Sequence, residues 1–374
     1  MELLQVLVLF FLLLLFLNML QNMKMLKDQK NFRLKGPLPL VSVLIPARNE
    51  ERNIKKCICS LLKQNYPHLE VIVLDDNSTD QTFRIVKELS RYSKKLKVVK
   101  GRELPPNWYG KTWACHQLSQ KARGEWFLFT DADTTHRPNS VSRALAAAQK
   151  NKAIFVTCIP GLTTKTWSER LYLPLIHFAF VVLLPFKLIN YSSDSRLSFS
   201  IGPFMLIKRD FFLSCGGYEA VKSEIVDDMA LAKVVKQKGG KISIVDGTKC
   251  MSVRFYTRFS ELWHGFSKNS YEAIGGAPHY LAFVSLVCYF LFIYPYLSLW
   301  GALESHQSIT LPIFQVAVLS AMKIILALRF KTSIFYGFLH PLTIGLALII
   351  LFNSFRLSLF KKKIAWKERL YPVK

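Results

Sequence analysis

The chain has 374 residues, enough for about two domains of roughly 150 residues each, which excludes a peptide or a single small module. Fifty lysines and arginines stand against 25 acidic residues, a formal charge of +25, while 51% of positions are hydrophobic and 28 are phenylalanine. That apolar and aromatic content excludes disorder, and the basic excess suits either nucleic acid or an anionic membrane surface. Long apolar segments decide for the membrane.

Residues 3–20 form an almost unbroken apolar run, close to the roughly 20 residues that cross a hydrocarbon core as helix. Only Met1 and Glu2 precede it and Lys24, Lys27, Lys30, Arg33 and Lys35 follow, the reverse of a cleavable signal peptide. The expectation is an anchor over 1–22 with its N-terminus outside, then a basic linker, 23–39, in the cytosol. Between residues 40 and 255, short β-branched runs alternate with longer periodic stretches, as in a sheet covered by helices. Strands are expected at 41–46, 70–75, 96–100, 126–131 and 153–158, with helices starting near Glu50, Ser78, Thr112 and Pro138. Ser78 reads as a helix-capping turn and Pro138 as a first helical turn.

The apolar stretch 171–189, interrupted by Pro174, His177, Pro185 and Lys187, reads as a helix lying on the membrane surface. An interfacial connector is expected over 256–280. Three apolar segments follow, 281–303, 309–328 and 334–354, within a membrane region of 281–358, and a basic tail at 359–374 carries Lys361, Lys362, Lys363, Lys367 and Arg369. Three full spans from the cytosol would leave that tail outside, against the positive-inside rule. The segment 309–328, with Pro312 and Lys323, is therefore the one expected to re-enter or lie in the interface. Seven cysteines, without a Cys-x-x-Cys pair, argue against a disulfide framework or a zinc site and fit a reducing cytosol.

In open sheets, ligands bind beyond the carboxyl ends of the strands. The polar loops fall there: Pro46-Ala47-Arg48-Asn49-Glu50-Glu51, Asp75-Asp76-Asn77-Ser78-Thr79-Asp80 and Thr130-Asp131-Ala132-Asp133-Thr134-Thr135. Asp131 and Asp133, one residue apart after a strand, suit a hard divalent cation whose shell a phosphate completes, but also suit plain turn carboxylates. Asp76 is either a helix cap or an acceptor for a nucleobase N–H. Lys111, beside a helix start, is either a diphosphate ligand or a solvated lysine. Asp228, opening the helix that ends at Gly239-Gly240, is either a general base or a complement to the helix dipole. Gly216-Gly217-Tyr218 reads as a plain turn or a loop shaping an acceptor pocket.

These motifs resemble a membrane-associated family 2 glycosyltransferase with the GT-A type nucleotide-sugar fold. The resemblance is carried by VSVLIPARNEE, LDDNSTD, LPPNWYGKTWACHQL, FTDAD, GPFMLIKRDFFLSCGGY and VDDMAL, in the family's order. The LPPNWYGKTWACHQL segment, the anchor and the closing AWKERLY narrow it to a subgroup acting on isoprenoid lipids, which includes carotenoid-acid (diaponeurosporenoate) and hopanoid-associated glycosyltransferases. The fold implied is α/β: a mixed sheet flanked by helices, with the N-terminal anchor and C-terminal hydrophobic helices around it. The resemblance further implies that Pro46, Ala47, Glu50 and Asp76 hold the uridine, that Asp131 contacts the ribose, and that Asp133 binds Mg2+ or Mn2+ on the diphosphate. Lys111 would steady the nucleotide and Asp228 would act as base. Asp227 stands where the family has glutamate, and the Q-x-x-R-W signature of processive members is replaced by 258–268, with Trp263 and Lys268 as pocket residues beside Gly216, Gly217 and Asp227 on the acceptor side.

The expected reaction is inverting transfer of a hexose, first of all glucose, from a UDP-sugar to a carotenoid acid at the cytosolic face, without polymerisation; a hopanoid or other lipid hydroxyl is the alternative acceptor. A haloacid-dehalogenase-type phosphatase is the rival enzyme, because 131–135 also satisfies D-x-D-x-T with Asp131 as nucleophile. Membrane lipids are expected partners and nucleic acid is not, since the basic residues lie beside membrane segments without interleaved aromatics. Protein partners are not legible.

Overall fold

The computed structural model describes residues 2–28, 33–360, 364–366 and 369–371. Lys30 of the linker and Lys361, Lys362, Lys363 and Lys367 of the tail lie outside the described residues. Two compact units are formed. One comprises Leu26–Thr163 and Phe186–Arg254; the other comprises Met1–Met25, Thr164–Pro185 and Phe255–Lys374.

The first unit is built on an eight-stranded sheet. Its strands are β1 (Val41–Ala47), β2 (Leu69–Asp75), β3 (Leu96–Lys100), β4 (Trp126–Phe129), β5 (Thr134–His136), β6 (Phe155–Leu162), β7 (Met205–Lys208) and β8 (Ile242–Val253), in the spatial order 3-2-1-4-7-6-8-5. β1 and β2 are the apolar runs VSVLIPA and LEVIVLD, buried on both faces, as parallel strands covered by helices on each side require. β1 pairs in parallel with β2 and β4, and β2 with β3. β7 then runs antiparallel to both β4 and β6, and the short β5 runs antiparallel to β8.

This order places one edge. The loops after β1, β2 and β4 leave from it, and because β7 runs the other way, with Met205 opposite Phe129, the residues just before β7 arrive at the same edge. A core of Leu44, Ile72, Leu118, Phe127, Phe129, Phe212 and Tyr218 packs on one face of the sheet. At the opposite end Glu70, itself buried, accepts hydrogen bonds from Ser42 Oγ (2.6 Å), the Arg123 N–H (2.8 Å) and Lys97 Nζ (2.7 Å). Those bonds outweigh the burial of the carboxylate and keep it below its ordinary range.

Several sequence expectations shift. The helices expected near Glu50 and Ser78 begin at Ile54 and Thr82. Ser78 does not cap: its hydroxyl accepts from the Asn49 N–H, while Asp80 Oδ1 accepts from the Thr82 N–H. Pro138 precedes the helix Ser140–Asn151. The expectation also omits β5, β7 and β8.

In the second unit, four helices are long and apolar enough to cross a membrane: Glu2–Leu26, Pro278–Glu304, Thr310–Phe330 and His340–Leu359. The segment expected to re-enter is one uninterrupted helix of 21 residues, with Pro312 in its first turn, where a missing N–H costs little. The surface helix expected over 171–189 is broken. In this unit it comprises Trp167–Tyr172, Pro174–Phe178 and a π-turn at Ala179–Leu183, with Leu173, Phe178, Val181 and Val182 buried, while the helix Phe186–Tyr191 after Pro185 belongs to the first unit. The reason lies in the anchor helix. Asn22 Nδ2 donates to the carbonyls of Val181 (2.9 Å) and Leu184 (2.7 Å), and Asn18 Nδ2 to those of Val182 (2.8 Å) and Leu184 (3.2 Å). Carbonyls released by the π-turn thus find donors inside the apolar unit. The helix Phe259–Ala273, in the segment expected as a connector, packs on His340–Leu359, with Ser267 Oγ accepting from Asn353 Nδ2 and Ser354 Oγ accepting from the Tyr271 N–H.

Candidate active site

The loops after β1 and β2 lock together. Asn49 and Asn77 both adopt left-handed backbone, at φ of 51° and 54°, which asparagine tolerates better than most residues. Arg48 donates to the carbonyls of Asp76 (2.6 Å) and Asn77 (2.9 Å), Asn49 Oδ1 accepts from the Thr79 N–H, and Glu50 receives Asn53 Nδ2 on its carboxylate while its own N–H bonds Thr82 Oγ1. Asp76, 2% exposed, is pinned through its N–H to the Ala47 carbonyl (2.8 Å). Pro46, Ala47, Glu50 and Asp76 therefore lie on two neighbouring, mutually braced loops.

After β4 the chain turns through Asp131, Ala132 and Asp133. Cys57, buried beneath this turn, donates to the Asp131 carbonyl at 3.7 Å. Burial pushes its thiol well above the ordinary value, and the carboxylates of Asp133, Asp131 and Glu50 push it further.

The densest group surrounds a residue without a side chain. Lys111 stands in the first turn of the helix Gly110–Lys121 and reaches Asp131 Oδ1 at 3.0 Å and Asp227 Oδ1 at 3.7 Å. Asp228, next in the helix Asp227–Gln237, accepts the Gly202 N–H on Oδ2 at 2.6 Å and its neighbour Met229 N–H on Oδ1 at 2.8 Å. A Cβ built on Gly202 would lie 2.8 Å from Lys111 Nζ, 3.1 Å from Asp131 Oδ2 and 3.6 Å from Asp228 Oδ2. With no side chain at Gly202, all three polar groups come close to this one position. Burial disfavours the Lys111 ammonium, but Asp131, Asp227 and Asp228 outweigh it and hold the lysine well above its ordinary value. Burial and the adjacent Asp227 raise Asp228 to about 6, against the pull of Lys111.

A buried polar chain supports this group. Thr130 Oγ1 donates to the Pro203 carbonyl at 2.8 Å, which commits its single hydrogen. His136 Nε2, 3.0 Å from the same oxygen, must then carry a hydrogen and donate it, which assigns the tautomer. Burial drives the imidazole down to about 3, so it is neutral. Beyond it Ser140 Oγ, 3.4 Å from His136 Nδ1, donates to Gln64 Oε1 at 2.9 Å. The carboxylate turn is thereby tied to Gly202-Pro203. Thr130, His136 and Gly202 were not singled out from the sequence; glycine and proline inside GPFMLIKRD were the only signal for the last.

Gly216 and Gly217 form a left-handed turn ending the helix Arg209–Ser214, and a Cβ on Gly217 would meet the Phe212 ring at 3.0 Å. Asp227 is buried beside Lys111, as above. Trp263 and Lys268 belong to the other unit, on Phe259–Ala273, where Trp263 lies 6.2 Å from the Phe259 ring and Lys268 lines a crevice with Tyr271, Glu272 and Ser354.

The donor set fits a divalent cation of the magnesium or manganese kind. Asp131 and Asp133 offer hard carboxylate oxygens on one turn, and among the described residues no group of three or more His, Cys, Asp or Glu side chains forms a complete cage. A cation held here requires ligands from outside the chain, as one brought in on a diphosphate does.

Residues 42–215 match the Glycosyl transferase family 2 profile. The 4,4'-diaponeurosporenoate glycosyltransferase of Staphylococcus aureus (strain USA300) is 26% identical over 240 residues, 63% of this chain and 62% of that protein. The protein of the same name from strain bovine RF122 is 26% identical over 251 residues, 66% of this chain and 65% of the relative. The chain thus matches less than two thirds of these relatives' own length. Among solved structures, the mannosyltransferase PcManGT from Pyrobaculum calidifontis, in complex with GDP-Man and Mn2+, superposes with a TM-score of 0.54 at 19% identity, over 96% of this chain and 100% of that one. The mixed sheet with its acidic edge thus has the GT-A type fold, and residues 42–215, a little under half of the chain, resemble the family 2 glycosyltransferases.

Proposed function

We propose that this protein is a membrane glycosyltransferase that moves one hexose from a UDP-sugar to an isoprenoid lipid, with a carotenoid acid as the first-ranked acceptor and glucose as the sugar. The observation that carries the reading is the meeting of Lys111, Asp131 and Asp228 over Gly202 at the sheet edge. A carboxylate on the acidic turn after β4, a cationic side chain at a helix start and a carboxylate raised toward neutrality surround one glycine, an arrangement suited to glycosyl transfer from a nucleotide.

In this account the braced loops of Pro46, Ala47, Glu50 and Asp76 hold the uracil and Asp131 meets the ribose. Asp133 would hold Mg2+ or Mn2+, which when bound neutralises charge on the diphosphate. Lys111 exchanges its carboxylate partners for the diphosphate, assisted by the N–H groups of its helix start. The acceptor oxygen bonds to the anomeric carbon as the bond to the diphosphate breaks, and UDP leaves with the electron pair. A hydroxyl acceptor gives its proton to Asp228; a carboxylic acid is already ionised at pH 7 and gives none. Asp228, set near 6, favours a hydroxyl and keeps the hopanoid-type alternative in play. The carotenoid acid ranks first on the names of the relatives.

The four apolar helices suit a multi-pass protein, and basic residues such as Arg33 and Lys35 after the anchor favour a cytosolic catalytic domain. Gly216, Gly217 and Asp227 are assigned to the acceptor side. The test is incubation of membranes carrying the protein with UDP-glucose, Mn2+ and extracted isoprenoid lipids. A glucosyl ester supports the acid acceptor, an ether linkage supports the hydroxyl, and absence of hexose transfer refutes the reading.

A further inference from the structure

Lys323 lies at mid-helix in Thr310–Phe330, one of the four helices apolar enough to span a membrane, and is 93% buried at 7% exposure. Among the described residues no carboxylate comes within ion-pair distance of it; its ammonium stands 5.2 Å from the centre of the Phe178 ring. The other side of that environment is His340, fully buried, 4.7 Å from Phe178 and 5.7 Å from Phe292 between ring centres, with neither ring nitrogen hydrogen-bonded. Lys323 also lines a cavity with Pro174, His177, Thr332, Ser333 and Tyr336.

One aromatic face offsets only part of what it costs to strip water from an ammonium, and unpaired intramembrane cations are rare outside ligand paths. The cavity supplies what is missing: an opening beside the ammonium about large enough for one oxygen atom, and the hydroxyl-bearing residues Thr332, Ser333 and Tyr336 in its wall. It sits about two helical turns from the end of Thr310–Phe330, where Arg329 and Lys331 add positive charge. We infer that this cavity is an anion site, taking an oxygen of a ligand's carboxylate or phosphate group onto Lys323. The inference does not rest on the sugar-transfer reading, whose residues all belong to other parts of the sequence.

The test uses the full chain in dodecyl maltoside micelles, wild type beside Lys323→Met and Lys323→Arg, and follows Tm on titration with oleate, dioleoyl phosphatidic acid or inorganic phosphate. Wild type and Lys323→Arg should gain several degrees with an anionic probe, and Lys323→Met should gain none. A response to oleate or phosphatidic acid assigns the site to lipid anions; a response to inorganic phosphate assigns it to the free ion. No shift with any probe, or equal shifts in wild type and Lys323→Met, would overturn the inference. Should Lys323→Met not fold, oleyl alcohol replaces oleate on the wild type, and equal shifts with acid and alcohol refute the charge-based site.

Discussion

Gly202→Ala adds a single methyl group and is the sharpest probe of the site. The new Cβ would fall 2.8 Å from Lys111 Nζ and 3.1 Å from Asp131 Oδ2, both inside ordinary contact distance. Gly202 is absent from the positive-φ positions, so alanine meets no backbone penalty there. The clash is with the end of a flexible lysine, which can swing away, so the fold should survive with Tm changed by a few degrees at most. Function should not. On the proposed function, displacing Lys111 removes one charge-assisted contact to the diphosphate, worth about 1.5–3 kcal/mol, or about 10–150-fold in nucleotide affinity. Isothermal titration of wild type and variant with UDP and Mn2+ measures that ratio directly. An affinity within twofold of wild type, in a folded variant, would refute the role given to the cluster.

Gly124→Ala makes the contrasting case. Its Cβ would meet the Ser42 backbone nitrogen at 2.6 Å, so overpacking should cost about 1–3 kcal/mol on chemical denaturation while UDP affinity in the folded fraction stays unchanged. With a hydroxyl acceptor, kcat/KM should fall as pH drops below about 6, where Asp228 gains its proton, and Asp228→Asn should be inactive across the range. The same group affects stability with a definite sign. Its folded value lies above the unfolded value of about 3.9, so its contribution is full below pH 4 and is lost as pH rises through about 6. The wild-type Tm should therefore lose, between pH 4 and 6, an increment that Asp228→Asn does not lose. Asn22→Leu removes two of the four side-chain hydrogen bonds to the carbonyls of Val181, Val182 and Leu184, leaving those of Asn18, and should lower the unfolding free energy in micelles by about 1–2 kcal/mol.

The carboxylates of the site were legible because they follow apolar β-branched runs, and such runs must be buried parallel strands whose ends share an edge. Gly202 was not legible. Its contribution is the space left by a missing side chain, and that has meaning only once Lys111, Asp131 and Asp228 are known to surround it. His136 was equally silent, since a lone histidine after D-x-D carries no pattern and acts through Thr130 and a proline carbonyl 67 residues later. β7 escaped because MLIK is four residues long, and β5 because TTH is polar. The helix starts slipped by four residues where Ser78 and Asn49 spend their side chains bracing the neighbouring loop. Pro174 and Pro185 were correctly seen as interruptions of 171–189, but the donors that make the interruption affordable, Asn18 and Asn22, sit about 160 residues away in a run that reads as pure anchor.

Metal-dependent transfer by the wild type beside Asp133→Ala decides whether the acidic turn after β4 serves sugar transfer. Membranes carrying each protein receive UDP-glucose, Mn2+ and isoprenoid lipid, and UDP release is followed together with a lipid mass gain of one hexose. The account predicts both signals for the wild type, their loss on chelation, and a drop of at least about a hundredfold in Asp133→Ala. Full activity in Asp133→Ala, or free phosphate in place of hexose transfer, would contradict it.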